Sequence, residues 1–333
     1  MNRMARILVA DDEPGPGKLL AAEPLGLVVR SAAMAAAVAA ARQVAATDAT
    51  VLLLGESGTG KSQLARFIHL SSRRARGPLV ELHCSALPES LLESELFGHE
   101  RGAFTGAIER RGGHLAAADG GSLFLDEIGE VTQANQVKLL RFLQGREFVP
   151  VGSTQPRKVD ARVIAATNRD LAAAVQSSTF REDLYHRLNV FSIHVPALRE
   201  RREEIVPLAE RFLALRGLPA ANLSPSARQA IQRRSWPGNV RELENALERA
   251  VILSGDDEIR PEHLGEPGAP VRGPSGDAGR VLREGFNLDR FERELVFAAL
   301  ERTGGNKAAA ARILGITRRR LYSMLRRLAG AQP

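Results

Sequence analysis

Residues 55–62 read GESGTGKS, a glycine-rich segment that ends in a lysine and a hydroxyl side chain. This is the P-loop pattern, in which glycines let backbone N–H groups surround phosphate, the lysine reaches the outer phosphates, and the hydroxyl can bind Mg²⁺. An apolar run, 51–54, precedes the segment and an amphipathic helix pattern follows it, which is the context that the motif requires. A chance glycine-rich turn is the alternative. The predicted nucleotide-binding residues are Gly55, Glu56, Ser57, Gly58, Thr59, Gly60, Lys61 and Ser62.

A second run, GGSLFLDE, ends in two acidic side chains, Asp126 and Glu127. The apolar residues before them predict a strand, and ligands of open parallel sheets bind beyond the carboxyl ends of the strands. Asp126 is therefore predicted to hold Mg²⁺ together with Ser62, and Glu127 to orient and polarise an attacking water. The alternative is a pair of acids that caps a helix.

Weaker candidates for the same site lie further along the chain. A third strand pattern, 162–166, is followed by Asn168, whose amide is placed to sense a terminal phosphate or to position water. Three arginines could stabilise the charge of a transition state. Each could equally be a surface ion-pair partner. The three are Arg181 and Arg187 in FREDLYHRLNV and Arg241 in WPGNVREL.

Short apolar runs alternate with helix-length amphipathic segments from residue 25 onward, and this alternation predicts an α/β fold with a mostly parallel sheet. Residues 199–264 carry only helix patterns. We therefore expect an α/β subdomain over 25–198 and a helical lid subdomain over 199–264. Residues 265–285 are rich in glycine and proline and are interpreted as a flexible linker.

The chain has 333 residues and a formal net charge of +7. Residues 303–333 hold seven basic side chains and no acidic one, so the rest of the chain is neutral overall. A basic tail of this kind is suited to a nucleic-acid backbone. No apolar run is long enough to span a bilayer and no signal-peptide core is present, so we expect a cytoplasmic protein without a membrane partner. The single cysteine, Cys84, is expected to be structural.

Residues 286–333 have the pattern of an all-α helix-turn-helix domain. A first helix is predicted over 288–302, and a second helix follows a glycine break. Ala311, Gly315 and Leu321 then supply a small residue at a helix crossing, a glycine at the turn and an apolar anchor on the third helix. A helical oligomerisation hairpin is the alternative. The predicted DNA-binding residues are Arg318, Arg319, Arg320, Tyr322, Ser323, Arg326 and Arg327.

Together these motifs resemble the AAA+ activators of sigma-54 RNA polymerase, also called bacterial enhancer-binding proteins, and the tail is similar to a Fis-type DNA-binding domain. The most specific element is GAFTGA, 102–107, which places the aromatic Phe104 between glycines and predicts a mobile loop with an exposed apolar tip. In the family this loop contacts sigma-54. A tight turn that buries Phe104 is the alternative. The predicted contact residues are Gly102, Ala103, Phe104, Thr105, Gly106 and Ala107.

The resemblance also implies how the site is completed. Arg181 and Arg187 match the finger arginines that reach the ATP of a neighbouring subunit, and Arg241 matches the second sensor of the lid. An AAA+ P-loop NTPase fold is implied, with ATP and Mg²⁺ as cofactors and a hexameric ring as the active homo-oligomer. The implied partners are sigma-54 RNA polymerase holoenzyme and enhancer DNA. The most similar subset lacks a regulatory domain, so control by a separate regulatory protein is expected.

Three features depart from the family pattern. His83 stands where the family usually has an asparagine, and it is predicted to act as a switch by hydrogen-bonding Glu127, so that its protonation would make coupling depend on pH. Ser62 stands where many members carry an acid. The run ILVADDE within residues 1–24 resembles the start of a receiver domain, but no room remains for its phosphoacceptor region. Residues 1–24 are therefore interpreted as a remnant or a chance match.

The leading interpretation is a transcription activator that hydrolyses ATP to convert a closed sigma-54 promoter complex into an open one. The alternative is a DNA-binding regulator whose ATPase is vestigial or serves only in assembly. The complete GAFTGA and the presence of both Asp126 and Glu127 favour the first. A general AAA+ chaperone is a third hypothesis, and it does not explain the DNA-binding tail.

Overall fold

The structure is a computed structural model, and it describes residues 27–104, 106–255, 257–265, 288–314, 321 and 324–325. The chain divides into two compact units, 1–267 and 268–333, and each is described by itself. Among the described residues, none of the helices combines the length and the apolar character that a bilayer crossing requires.

The first unit is built on a parallel sheet. Its strands, in chain order, are β1 (Val51–Leu54), β2 (Leu79–His83), β3 (Ser122–Asp126), β4 (Glu147–Phe148), β5 (Arg157–Lys158), β6 (Arg162–Thr167) and β7 (Phe191–His194). Five of these strands form the sheet in the order β2-β3-β6-β1-β7, with parallel pairing throughout, and β4 and β5 form a small antiparallel pair. The central β6 is buried along its whole length, as expected for a sheet covered on both faces.

Helices cover both faces of this sheet. They are α1 (Ala32–Ala45), α2 (Lys61–Leu70), α3 (Glu89–Phe97), α4 (Gly113–Ala117), α5 (Gln133–Gly145), α6 (Leu171–Gln176) and α7 (Glu182–Leu188). Alternate strand residues point to opposite faces, so Leu53 and Phe124 pack with α1 and α2, whereas Leu52 and Leu125 pack with α3, α5 and α7. The strand patterns predicted at 51–54 and 162–166 are confirmed, whereas β2 and β7 were not predicted.

The lid that follows is helical. Its main helices are α8 (Ile205–Leu215), α9 (Pro225–Arg233) and α10 (Asn239–Ser254). They enclose a separate core around the buried Trp236, with Phe212 and Leu247 among its members. The predicted combination of an α/β sheet and a helical lid is confirmed.

The second unit is described only in part. It contains α11 (Leu288–Arg302) and α12 (Lys307–Ile313). The Asn306 side chain accepts hydrogen bonds from two backbone N–H groups at the start of α12, as an N-cap does. Ala311 and Leu321 lie in one buried cluster, so the predicted crossing residue and apolar anchor do meet. Gly315 lies outside the described residues.

Candidate nucleotide site and sigma-54 loop

The P-loop joins the carboxyl end of β1 to the start of α2. Gly58 and Gly60 have positive φ angles of 76° and 98°. A Cβ on Gly58 would lie 2.5 Å from the Gly238 carbonyl oxygen, so a side chain cannot be placed where the loop meets the lid. The Lys61 ammonium donates to the carbonyl oxygens of Gly55 and Glu56 at 2.9 and 3.0 Å, which closes the loop into a cradle.

Two carboxylates lie at the adjoining strand end and act on the charge of Lys61. Burial lowers the pKa of the Lys61 ammonium, and the negative charges of Glu127 and Asp126 oppose that shift. The ammonium is 5% exposed, so these acids supply its counter-charge within the site. A buried cation next to two acids in a glycine cradle is suited to binding phosphate.

Glu127 has an unusual backbone conformation. Its φ of 54° lies in the left-handed region, which non-glycine residues seldom occupy. Its N–H donates to the Asp126 carboxylate at 3.1 Å, and its own carboxylate accepts from the backbone N–H of Asn168 at 3.3 Å. The turn therefore directs two adjacent acids to different places, Asp126 towards His83 at the end of β2 and Glu127 towards the end of β6.

Three neighbouring cavities surround these groups. One of about 200 Å³ is lined by P-loop residues and by Asp126, Glu127 and Arg241. A second of about 320 Å³ lies between Glu127, Asn168, Arg241 and His83. The third, of about 170 Å³, is lined by apolar side chains that include Leu27, Met34 and Phe212 and by the charged side chains of Arg211 and Glu244.

These cavities offer the groups that a nucleotide with Mg²⁺ would need. The apolar side chains of the third cavity suit a base, and the cradle at Lys61 suits its phosphates. The Ser62 hydroxyl and the Asp126 carboxylate are oxygen ligands of the kind that Mg²⁺ takes, usually with phosphate oxygens completing the set. No group of three or more His, Cys, Asp or Glu side chains suited to a metal occurs in the part of the chain that the structure describes.

The lid is bonded directly to the P-loop through the start of α10. The Arg241 guanidinium donates to the Ser57 hydroxyl at 2.9 Å, and the Val240 N–H donates to the Gly58 carbonyl at 2.9 Å. The buried Asn239 amide donates to the Ser57 carbonyl at 3.0 Å and to the Glu56 carboxylate at 3.1 Å. Contact with α10 therefore fixes the outer side of the loop.

Glu56 and Arg199 form a further contact between the P-loop and the start of the lid. The two guanidinium nitrogens of Arg199 lie 2.8 and 2.6 Å from the carboxylate oxygens of Glu56. The hydrogen bonds from Arg199 and then from Asn239 lower the pKa of Glu56 to about 2. Glu56 thus remains ionised at neutral pH and holds two lid residues.

A buried ion pair between Arg201 and Glu204 is a further contact between the P-loop and the lid. Glu204 is fully buried, and its carboxylate accepts from the Arg201 guanidinium at 3.0 Å and from the Ser31 hydroxyl at 2.8 Å. A second Arg201 nitrogen donates to the Thr59 carbonyl. The pair therefore joins the P-loop, the start of α1 and the beginning of the lid.

The segment 102–107 is shaped differently. Its described turns are closed by backbone hydrogen bonds, from the Gly102 N–H to the Ala107 carbonyl at 2.8 Å and from the Ala107 N–H to the Phe104 carbonyl at 3.0 Å. Phe104 is 43% exposed, and its ring meets the edge of His99 with the centroids 5.0 Å apart. The prediction of an exposed aromatic tip is confirmed, and the buried alternative is wrong. Thr105 lies outside the described residues.

Comparison with known proteins agrees with this geometry. Residues 27–194 match the Sigma-54 interaction domain, 199–270 the AAA+ ATPase lid domain, and 287–328 the Fis family of bacterial regulatory proteins. The transcriptional regulatory protein ZraR of Klebsiella oxytoca is 53% identical over 92% of this chain and 70% of its own length. The chain belongs to the sigma-54-dependent transcriptional regulators.

Two further relatives place this regulator in the same family. The alginate biosynthesis regulatory protein AlgB of Pseudomonas aeruginosa is 48% identical over 89% of this chain and 66% of its own length. A crystal structure of NtrX from Brucella abortus in complex with ATP has a TM-score of 0.66 and 36% identity, covering 91% of this chain and 69% of that one. The predicted AAA+ fold with a lid and a Fis-type helix-turn-helix is therefore confirmed.

His83 of this regulator differs from the sequence prediction. Its ring nitrogen Nδ1 lies 3.4 Å from the Asp126 carboxylate, and Nε2 lies 3.1 Å from the Ser85 hydroxyl. The reason is register, since the parallel pairing of β2 with β3 sets His83 directly opposite Asp126. Glu127 lines the same cavity as His83, but no contact between these two side chains occurs among the described residues.

The structure brings some predicted residues of the regulator together and leaves others apart. Arg241 and Asn168 lie at the P-loop site, whereas Arg181 and Arg187 are exposed on and beside α7 and line none of the three cavities. Arg181 instead pairs with Asp183 at 2.7 Å. Cys84 is 2% exposed, and burial raises the pKa of its thiol to about 12, consistent with a structural role.

Several contributors were missed from the sequence. Asn239, Arg199, Arg201 and Glu204 hold the lid to the P-loop, and the single available signal was the position of Asn239 within WPGNVREL. The seven predicted DNA-binding residues, 318–320, 322–323 and 326–327, lie outside the described residues. The same holds for residues 1–24 and for nearly all of the linker at 265–285.

Proposed function

We propose that this regulator binds and hydrolyses ATP and uses the energy to convert a closed sigma-54 RNA polymerase complex into an open one while bound to enhancer DNA. One observation carries the proposal. Lys61, Asp126, Glu127, Asn168 and Arg241 line two cavities that share Glu127 and Arg241 in their linings, at the ends of β1, β3 and β6, where phosphoryl transfer would need them. The relative NtrX has been crystallised in complex with ATP, which supports nucleotide binding in general.

Each side chain then has a role that follows from its position. The apolar cavity beside Phe212 takes the base, and the backbone N–H groups of residues 55–62 with Lys61 take the phosphates. Bound Mg²⁺ would neutralise charge on the phosphate oxygens, and Ser62 and Asp126 are the side chains that would hold it.

Glu127 is the proposed group that orients the attacking water. The backbone N–H of Asn168 holds one of its carboxylate oxygens, so the glutamate stays aligned with the end of β6. The proposed role of the Asn168 side chain is to sense the terminal phosphate from the same cavity. His83 contacts Asp126, and we propose that it influences the site through that acid.

Arg181 and Arg187 act across an interface in this proposal. Both are exposed and line none of the three cavities, as expected of arginines that serve a neighbouring copy. The proposal therefore includes a homo-oligomer, a hexameric ring when active, in which Arg241 completes the site from within the subunit. Arginines supplied across an interface can raise a hydrolysis rate by about 10³ to 10⁵.

The loop 102–107 is the proposed sigma-54 contact, and the exposed Phe104 ring is its tip. The basic tail is the proposed DNA contact, with residues 318–323 on base edges and Arg326 and Arg327 on phosphate. The proposed domains are 25–198, 199–264 and 286–333, joined by a linker at 265–285. Both targets lie in the bacterial cytoplasm, so the proposal locates the regulator there.

Open-complex formation on a supercoiled sigma-54 promoter tests the proposal. Intact protein should open the promoter and turn over ATP, Glu127→Gln should do neither, and Phe104→Ala should turn over ATP without opening it. If intact protein binds the DNA and never opens the promoter, the function is instead that of a regulator with a vestigial or assembly-only ATPase.

A further inference from the structure

Gln136 is a buried polar side chain that none of the roles above uses. It lies in the first turns of α5 and is fully buried. Both the nitrogen and the oxygen of its side-chain amide form hydrogen bonds with backbone groups. The amide nitrogen donates to the carbonyl oxygens of Val131 at 2.8 Å and of Thr179 at 3.1 Å. The amide oxygen accepts the N–H of Arg181 at 2.8 Å.

These three bonds join two distant parts of the chain. Val131 ends the short 3₁₀ turn, Ile128–Glu130, that directly follows Glu127. Arg181 is the N-cap residue directly before α7, and its side chain is exposed. The side-chain amide of Gln136 therefore connects the segment that follows Glu127 to the backbone of Arg181.

Only glutamine fits all three contacts. A side-chain amide offers two donors and an acceptor, whereas glutamate at this position would face two carbonyl oxygens without a donor. Asparagine is one methylene shorter and cannot reach both segments from α5. A buried N–H or carbonyl that loses its partner is costly, so the three backbone groups depend on this side chain.

The segment before Arg181 has a second contact with α5 that serves for comparison. Gln133 is exposed and donates to the Ser178 carbonyl at 2.9 Å. This bond holds the same segment, but it does not involve Val131. Loss of the Gln133 bond therefore loosens the segment without breaking the connection to Glu127.

We propose that Gln136 is a positioning residue that links the segment after Glu127 to the backbone of Arg181. Movement at the nucleotide of one subunit is thereby transmitted to the arginine presented to the next subunit. The inference rests on the proposed function, in which Arg181 acts across the interface.

A mixing experiment separates this role from a defect in folding or in the chain's own site. Gln136→Met keeps the buried volume and removes the three hydrogen bonds. Its ATP turnover is measured alone and after co-assembly with Glu127→Gln, whose site is inactive but whose arginine is intact. Arg181→Ala mixed with the same partner is the positive control, and Gln133→Met is the matched control.

Alone, Gln136→Met should lose at least about tenfold in turnover, as expected when a charged group is displaced by about 1 Å. In the mixture, turnover should return, because about a quarter of randomly formed interfaces pair an intact site with an intact arginine. Gln133→Met should keep turnover close to that of the intact protein. Circular dichroism and an unfolding midpoint verify that each variant is folded.

The other outcomes are distinguishable. If Arg181→Ala is complemented and Gln136→Met is not, Gln136 acts on its own site or on folding, and the inference is overturned while the proposed function stands. An equal loss in Gln133→Met also overturns it, because the connection to Val131 would then be irrelevant. If the intact protein does not turn over ATP, or if Arg181→Ala is not complemented, the proposed function itself is wrong. The inference, which rests on that function, is then wrong as well.

Discussion

The lid side of the P-loop and the segment 102–107 are built in opposite ways. On the lid side, buried or ionised side chains hold the loop, including Asn239 and the pair Arg201–Glu204. In the segment 102–107, backbone hydrogen bonds close the described turns, and the side chain at the tip, Phe104, is exposed. Side-chain contacts therefore hold the first region in place, whereas movement of the second region breaks few side-chain contacts.

The two regions therefore differ in the free energy that movement costs. Breaking a buried charged contact costs several kcal/mol, whereas rearranging an exposed turn costs far less. A rigid connection at Glu56 and Glu204 would let the lid follow the P-loop, while a weakly held tip could change position at small cost. Substitutions in the two regions should therefore have unequal effects on stability.

The largest effect is expected for Glu204→Ala. This change leaves the 3% exposed Arg201 guanidinium without its carboxylate and removes the acceptor of the Ser31 hydroxyl. An uncompensated buried charge lowers the free energy of unfolding by about 3–5 kcal/mol. Urea denaturation measures this free energy. Substitution of the exposed neighbour, Glu203→Ala, is the control and should change it by less than about 0.5 kcal/mol. A loss below about 1 kcal/mol for Glu204→Ala would show that the pair does not hold the lid.

A smaller effect is expected at Asn239, where two causes can be separated. Its side chain bonds Ser57, Glu56 and the Leu198 N–H, and its φ of 54° is left-handed. Asn239→Ala should lower the free energy of unfolding by about 2 kcal/mol, because it loses the bonds and keeps the strained backbone. Asn239→Gly removes the strain, so it should be about 1 kcal/mol less harmful than Ala. Equal losses would mean that strain makes no contribution.

The sequence was informative about features that depend on residues close to one another along the chain. The P-loop and the acids after β3 follow apolar strands directly, so Lys61, Asp126 and Glu127 were found from spacing alone. Glycines on both sides of Phe104 likewise predicted its exposure correctly. These features need no knowledge of distant residues.

Features that depend on distant partners were missed or placed incorrectly. Arg201 meets Thr59 across 142 positions of the chain, and no local pattern marks such a pair. His83 was predicted to bond Glu127, but the register of two parallel strands set it beside Asp126. A shift of one residue in that register would turn His83 to the opposite face of the sheet, and the sequence of β2 does not determine the register by itself.

The exposed ion pair Glu56–Arg199 is expected to stabilise the folded state in a way that depends on pH. The pKa of Glu56 falls from 4.5 to about 2, so the pair stabilises the folded state above pH 4.5 and the stabilisation disappears as pH falls towards 2. Since both side chains are more than 40% exposed, solvent screening keeps the contribution of this pair to stability small. Urea midpoints of intact protein and Glu56→Gln should therefore converge between these pH values. A difference that stays constant across the window would contradict the assignment.

The smallest change in stability is expected for Phe104→Ala, which removes an exposed ring and one edge contact with His99. The free energy of unfolding should change by less than about 0.5 kcal/mol, and Val190→Ala, another exposed apolar side chain, should behave alike. Promoter opening should nevertheless be lost in Phe104→Ala alone, because the ring is the proposed point of contact with sigma-54. Parallel measurement of unfolding and open complexes checks both. If Phe104→Ala unfolds as readily as Glu204→Ala, the tip is a packed structural element, and the contrast between a rigid lid contact and a free loop is wrong.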